Sequence, residues 1–98
     1  MLEYDEYRLQ LEGMEKGILE LSDSLDIKGT LEEIKELEEK SAAPDFWDDM
    51  ENSQKVLQKT KQLKDKVEKY NNLKTSWEDT LTLIELANEE NDESMLPE

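Results

Sequence analysis

Residues 49–90 read DMENSQKVLQKTKQLKDKVEKYNNLKTSWEDTLTLIELANEE, and this stretch decides the fold. No Gly and no Pro occurs between Asp45 and Leu96, so nothing there forces a helix to stop. Apolar or aromatic residues fall at Val56, Leu63, Val67, Tyr70, Trp77, Leu81 and Ile84, in steps of 7, 4, 3, 7, 4 and 3. That spacing is the seam of one helix packed lengthwise on partners. Thr60 and Lys74 stand where apolar residues would continue the seam, and they weaken it. One helix over 49–90 would be roughly 60 Å long at ~1.5 Å per residue, so the rest of the chain is expected to lie along it. Asn71-Asn72, two poor helix formers, mark where such a rod would break.

Toward the N-terminus, Tyr4, Tyr7, Leu11, Met14, Ile18, Leu21 and Leu25 alternate steps of 3 and 4, which predicts a first helix over about 3–24. Gly13 and Gly17 lie inside it, four apart. They read either as a close-approach face for another helix or as two glycines that tertiary packing tolerates, each at about 1 kcal/mol relative to Ala. Residues 25–29 (LDIKG) read as a turn. Thr30-Leu31-Glu32-Glu33 then fits a capping box, opening a second helix over about 31–42 with Leu31, Ile34, Leu37 and Ser41 or Ala42 facing inward. Pro44 ends it, because the residue before a proline is pushed out of the α region. The expected fold is all-α: one domain of 98 residues, a three-helix bundle, antiparallel and coiled-coil-like, with a long third helix. Past Glu89 the chain becomes acidic and loses its period, as a linker or frayed end does.

Composition narrows the function. Ala, Glu, Lys, Leu and Arg make up 48 of the 98 residues, which suits a bundle. Only 35% of residues are hydrophobic, so the core is expected as stripes on helices. With no Cys and no His, disulfides, thiolate chemistry, Cys/His zinc sites and imidazole catalysis are excluded. No run approaches the ~20 apolar residues of a membrane span, and residues 1–6 lack the pattern of a signal peptide. A cytoplasmic protein is expected. Net charge is −15, unevenly spread: residues 55–74 carry seven Lys against Asp65 and Glu68, a local +5, and the remainder carries −20. General nucleic-acid binding, to DNA above all, is therefore not expected.

Between the second and third helices lies Ala43-Pro44-Asp45-Phe46-Trp47-Asp48-Asp49. Phe46 or Trp47 is a candidate plug for the end of the bundle, with Asp48 or Asp49 capping the long helix. The rival reading is an exposed aromatic anchor for a partner. A capping-box helix rich in Glu, then APDFWDD, then a long Lys-rich helix, then LIELANEENDE, resembles the N-terminal domain of a bacterial class-I peptide chain release factor. APDFWDD and LIELANEE are similar to the release factor 2 type, which reads UGA and UAA. The resemblance covers Tyr4 to Glu93, and PDFWDD is its specific part.

It implies a helical domain facing the stalk base of the large ribosomal subunit, and remaining domains of a longer parent factor as a second partner. The family's catalytic Gly-Gly-Gln and codon-reading Ser-Pro-Phe tripeptides do not occur in these 98 residues. Neither activity is carried over, and no enzyme is expected. The rival is a structural helical-bundle or coiled-coil spacer.

Two surfaces are candidates for the contact. Lys55, Lys59, Lys66 and Lys69 fall within an arc of about 80° on a wheel of ~100° per residue, a stripe that could reach rRNA phosphate or be a solvated flank. Lys61 and Asp65, and Asp65 and Lys69, are spaced for local pairs. Glu32, Glu36 and Glu39 form an acidic face suited to a basic ribosomal protein. No catalytic, cofactor or metal residue is expected: neighbouring carboxylates on an exposed helix are ordinarily solvated, and no phosphate or calcium loop occurs.

Overall fold

A computed structural model describes residues 2–90 of the chain. The elements are α1 (Leu2–Gly13), α2 (Glu15–Ser24), α3 (Ile27–Ser41), a single 3-10 turn (Phe46–Asp48) and α4 (Met50–Glu90). The fold is all-α, and its last helix is the long one. The acidic tail from Asn91 on lies outside the described residues. The helices group into two compact units, each with its own buried residues: Ser22–Tyr70, and the described residues of 1–21 with those of 71–98.

In the first of these, α3 and the start of α4 run antiparallel, as Thr30 meets Lys66 and Phe46 meets Ser53. Ile27, Thr30 and Ile34 are buried on α3, and Ser53, Thr60, Val67 and Tyr70 on α4. The α4 seam is therefore more regular than its apolar residues alone suggest: Ser53, Val56, Thr60, Leu63, Val67 and Tyr70 are all buried or half-buried, in steps of 3 and 4. Thr60, expected to weaken the seam, sits inside it because its hydroxyl donates to the Val56 carbonyl at 2.8 Å and hides its polarity in its own helix.

In the other unit, Tyr4 (1% exposed), Ile84 and Ala87 form a small core against which Leu11 packs. Asn88 Nδ2 donates to Asp5 Oδ1 at 3.0 Å, and the Trp77 indole N–H donates to the Leu11 carbonyl. These pairs also set α1 antiparallel to this half of α4. Lys74, the other weak seam position, is exposed, as is every residue over 71–76. α4 nonetheless runs unbroken through Asn71-Asn72. Extending an existing helix adds one hydrogen bond per residue fixed, which offsets the small propensity deficit of two asparagines.

Two expectations need correction. The first helix is interrupted at Met14, where Met14 N–H bonds to the Leu11 carbonyl at 3.1 Å, a shorter loop than the α pattern. That carbonyl also receives the Trp77 indole, a long-range demand that no local period reveals. Second, α3 starts at Ile27, four residues before the Leu31 start expected from the capping box. Asp26 is its cap: it adopts the left-handed region (φ 50°, ψ 54°) and its carboxylate accepts from the Gly29 N–H at 3.2 Å. Thr30 lies within the first turn and donates to the Asp26 carbonyl at 2.8 Å. With the start shifted, Leu31 is 51% exposed and Ile27 takes the inward place. A Cβ at Gly29 would collide with the Asp26 carboxylate, so that glycine keeps the cap in place.

The structure also decides between the two readings of Gly13 and Gly17. A Cβ built at either meets nothing within 4 Å, so they are not a close-approach face. Gly17 lies in the body of α2 with a negative φ, where alanine fits. Gly17→Ala is expected to raise stability by about 1 kcal/mol, seen as a higher urea midpoint at unchanged slope. A lower midpoint would mean that the open space at Gly17 is filled.

Candidate functional site

The turn between α3 and α4 is built on backbone bonds. Phe46 N–H donates to the Ala43 carbonyl at 3.1 Å and Asp48 N–H to the Asp45 carbonyl at 3.0 Å. Asp49, in extended conformation, caps α4 by accepting from Asn52 N–H at 3.1 Å. Ser53 is fully buried, its Oγ 2.5 Å from the Phe46 carbonyl and 2.9 Å from that of Asp49. The Asp49 carbonyl already accepts the Ser53 N–H, so the hydroxyl proton chiefly serves Phe46. This latch fastens the turn to the helix. Ser53 passes unnoticed in a hydrophobicity reading; its only sequence signal is its place one step before Val56 in the heptad.

Of the two candidate plugs, Phe46 is buried (6% exposed) and Trp47 is not (55%). Trp47 as plug is therefore corrected. In the tight turn the two consecutive side chains diverge, and the Trp47 ring stands edge-on to Phe46 with centroids 5.0 Å apart and planes at 79°. Met50 beside it is also exposed.

The lysine stripe does not hold together as one free surface. Lys66 is half-buried and its Nζ donates to the Thr30 hydroxyl at 3.1 Å, so it ties α4 to α3. Lys55 pairs with Glu51 at 3.3 Å in full solvent. Lys61 pairs with Asp65 at 3.0 Å, and Lys64 reaches Glu38 on α3 at 3.4 Å. Lys59 and Lys69 are exposed. An open cleft of about 300 Å³ lies between α3 and α4 beside Lys59 and Lys66, but Asp26 and Glu33 line it too. Two carboxylates beside two ammonium groups cancel the field that a phosphate would need.

Glu32, Glu36 and Glu39 all stand exposed along one face of α3. Glu38 alone among the nearby glutamates bonds across to α4. Among the described residues no cluster of three or more His, Cys, Asp or Glu could hold a metal ion. No helix among them is long and apolar enough to cross a membrane.

Residues 30–98 match the family model described as the PCRF domain. The peptide chain release factor 2 of Exiguobacterium sp. is 37% identical over 97 residues, covering 99% of this chain and 26% of the relative. That of Clostridium perfringens is 35% identical over 98 residues, covering 100% and 27%. That of Rickettsia bellii is 37% identical over 79 residues, covering 81% and 22%. The chain thus spans about a quarter of the length of the relatives it matches. No solved structure matches it.

Proposed function

This chain belongs to the peptide chain release factor family, and from that premise we propose that it is a ribosome-docking helical domain of a translation termination factor of the release factor 2 type. The type rests on relatives that share its name and align with nearly the whole chain. In this reading the domain docks and leaves decoding and hydrolysis to other parts of a full factor, in keeping with the absence of Gly-Gly-Gln and Ser-Pro-Phe from these 98 residues. All of these steps belong in the cytoplasm, where ribosomes work.

The observation that carries the mode of docking is the distribution of charge. Outside residues 55–74 the chain carries an excess of twenty negative charges. Within that segment, Lys55, Lys61 and Lys64 pair with carboxylates and Lys66 bonds to Thr30. Such a domain is repelled by rRNA at long range and attracted to a basic protein, so the contact is made by the Glu32, Glu36 and Glu39 face with a basic protein at the stalk base of the large subunit.

Added to bacterial ribosomes stalled at UGA, the purified chain is expected to sediment with the ribosomes, less so as salt is raised, and to release no peptide. Stop-dependent release by the chain alone, or no association at low salt, would overturn the reading.

A further inference from the structure

We propose that the Phe46–Met50 turn is a second docking surface, on which Trp47 anchors a basic protein segment that flanks an apolar socket with Arg or Lys. An exposed tryptophan in so hydrophilic a chain calls for a reason. Trp47 is 55% exposed and Met50 57%, neighbours on one turn. The indole is not loose: its ring leans edge-on against the buried Phe46, and the backbone under it is latched by Ser53 and capped by Asp49. A side chain held in place before binding loses less freedom on binding, and tryptophan is the residue most enriched among interface anchors. Met50 adds an adaptable apolar edge.

Charge selects the occupant. Asp45, Asp48, Asp49 and Glu51 flank the two apolar residues in the chain and are all exposed, and on the same turn a shallow cleft of about 390 Å³ is lined by Asp45, Asp48 and Asp49 with Lys40 and Phe46. Among the described residues, Lys40 is the one cation that lines the cleft and Lys55 the one that pairs with these four carboxylates, at Glu51. A nucleic acid could stack a base on Trp47, but its phosphates would meet these carboxylates. A second copy of the chain would bring the same acids and a net charge of −15 against it. A basic protein surface meets both features: its cations pair with the carboxylates and can stack on the indole, while its apolar socket takes the ring. The inference does not depend on the Glu32, Glu36 and Glu39 face making contact.

The test probes the chain with tiled 15-residue peptides from the basic proteins of a bacterial large ribosomal subunit, with oligouridylate RNA as a second probe and sedimentation of the chain alone as a third measurement. Peptides that combine Arg or Lys with apolar residues are expected to bind, to shift the Trp47 emission to the blue (read as wild type minus Trp47→Phe) and to weaken with salt. Trp47→Ala is expected to weaken that binding about 30-fold, the size of a strong anchor, with Trp47→Phe in between. Circular dichroism showing an unchanged fold for both variants ties the loss to the surface. The proposal is overturned by peptides that bind Trp47→Ala as well as wild type, by no peptide binding at all, or by a dimer or an RNA complex that alone depends on Trp47. Ribosomes that bind wild type and Trp47→Ala equally, while peptides bind neither, would remove this surface and leave the docking role of the domain intact.

Discussion

Phe46→Ala is expected to destabilise the protein by ~3–5 kcal/mol, and Trp47→Ala by no more than ~1 kcal/mol, although tryptophan is the larger side chain. The difference follows from placement. Phe46 is 6% exposed in the turn between α3 and α4, so truncation is expected both to remove apolar packing and to leave a cavity. Trp47 is 55% exposed, and truncation costs little beyond its edge contact with Phe46. Urea unfolding followed by far-UV circular dichroism measures both. Equal losses for the two variants would mean that Trp47 is packed against something and is not presented outward. Because the two rings touch, the double variant should cost less than the sum of the single ones.

The adjacency of Phe46 and Trp47 also shows where sequence reasoning stops. Period separates the faces of a helix, but two neighbours in a tight turn have no period, and size and hydrophobicity do not tell which of them turns inward. Elsewhere the pattern is informative. The long helix follows from the 3 and 4 spacing, and its antiparallel neighbours from the short turns that join them. What the pattern under-reads are small hydroxyl residues. Ser53, Thr60 and Thr30 are buried with their hydroxyls bonded to backbone carbonyls, so they fill seam positions that a hydrophobicity count leaves blank.

The start of α3 escapes a sequence reading for a different reason. Asp26-Ile27-Lys28-Gly29 carries turn residues, and a glycine there reads as punctuation. Asp is one of the few non-glycine residues that enters the left-handed region at small cost, and from there its carboxylate caps a helix that already includes Gly29. The competing signal, Thr30 with Glu33, is a local match that yields to a cap four residues earlier. The break at Met14 follows Gly13, the residue on which α1 ends, and it coincides with a bond from Trp77, sixty-six residues on from Leu11, that no local period reveals. The candidate contact residues are the least legible. Spacing puts four lysines in one arc, yet whether a lysine faces solvent or a neighbour depends on the opposing helix, and Thr30 claims Lys66.

Neutralising Glu32, Glu36 and Glu39 together as glutamines is expected to slow association of this chain with ribosomes by roughly tenfold at low salt and to leave dissociation little changed, because in the proposed contact these exposed α3 carboxylates would act by steering more than by buried contact. The effect should shrink as ionic strength rises, since the Debye length falls to about 8 Å near physiological salt. Reversal of lysines gives the opposing arm. Lys66 is unsuitable for it, because a glutamate there would lose the Thr30 bond and place a carboxylate in a half-buried site beside Asp26 and Glu33. Lys55 is already paired with Glu51, so its reversal would set two like charges one helical turn apart. Lys59→Glu with Lys69→Glu is the clean pair, as both are exposed. If the acidic face makes the contact, this pair leaves affinity unchanged or slightly improved, because the domain becomes more negative toward a basic partner. If the lysines meet rRNA phosphates, affinity falls and the slope of log affinity against log salt flattens by about one for each phosphate no longer neutralised. Stopped-flow association at three salt concentrations for both variant sets separates the outcomes. A loss confined to the lysine pair, with the flatter slope, would transfer the ribosome contact from α3 to α4; no change from either set would remove both faces from the interface.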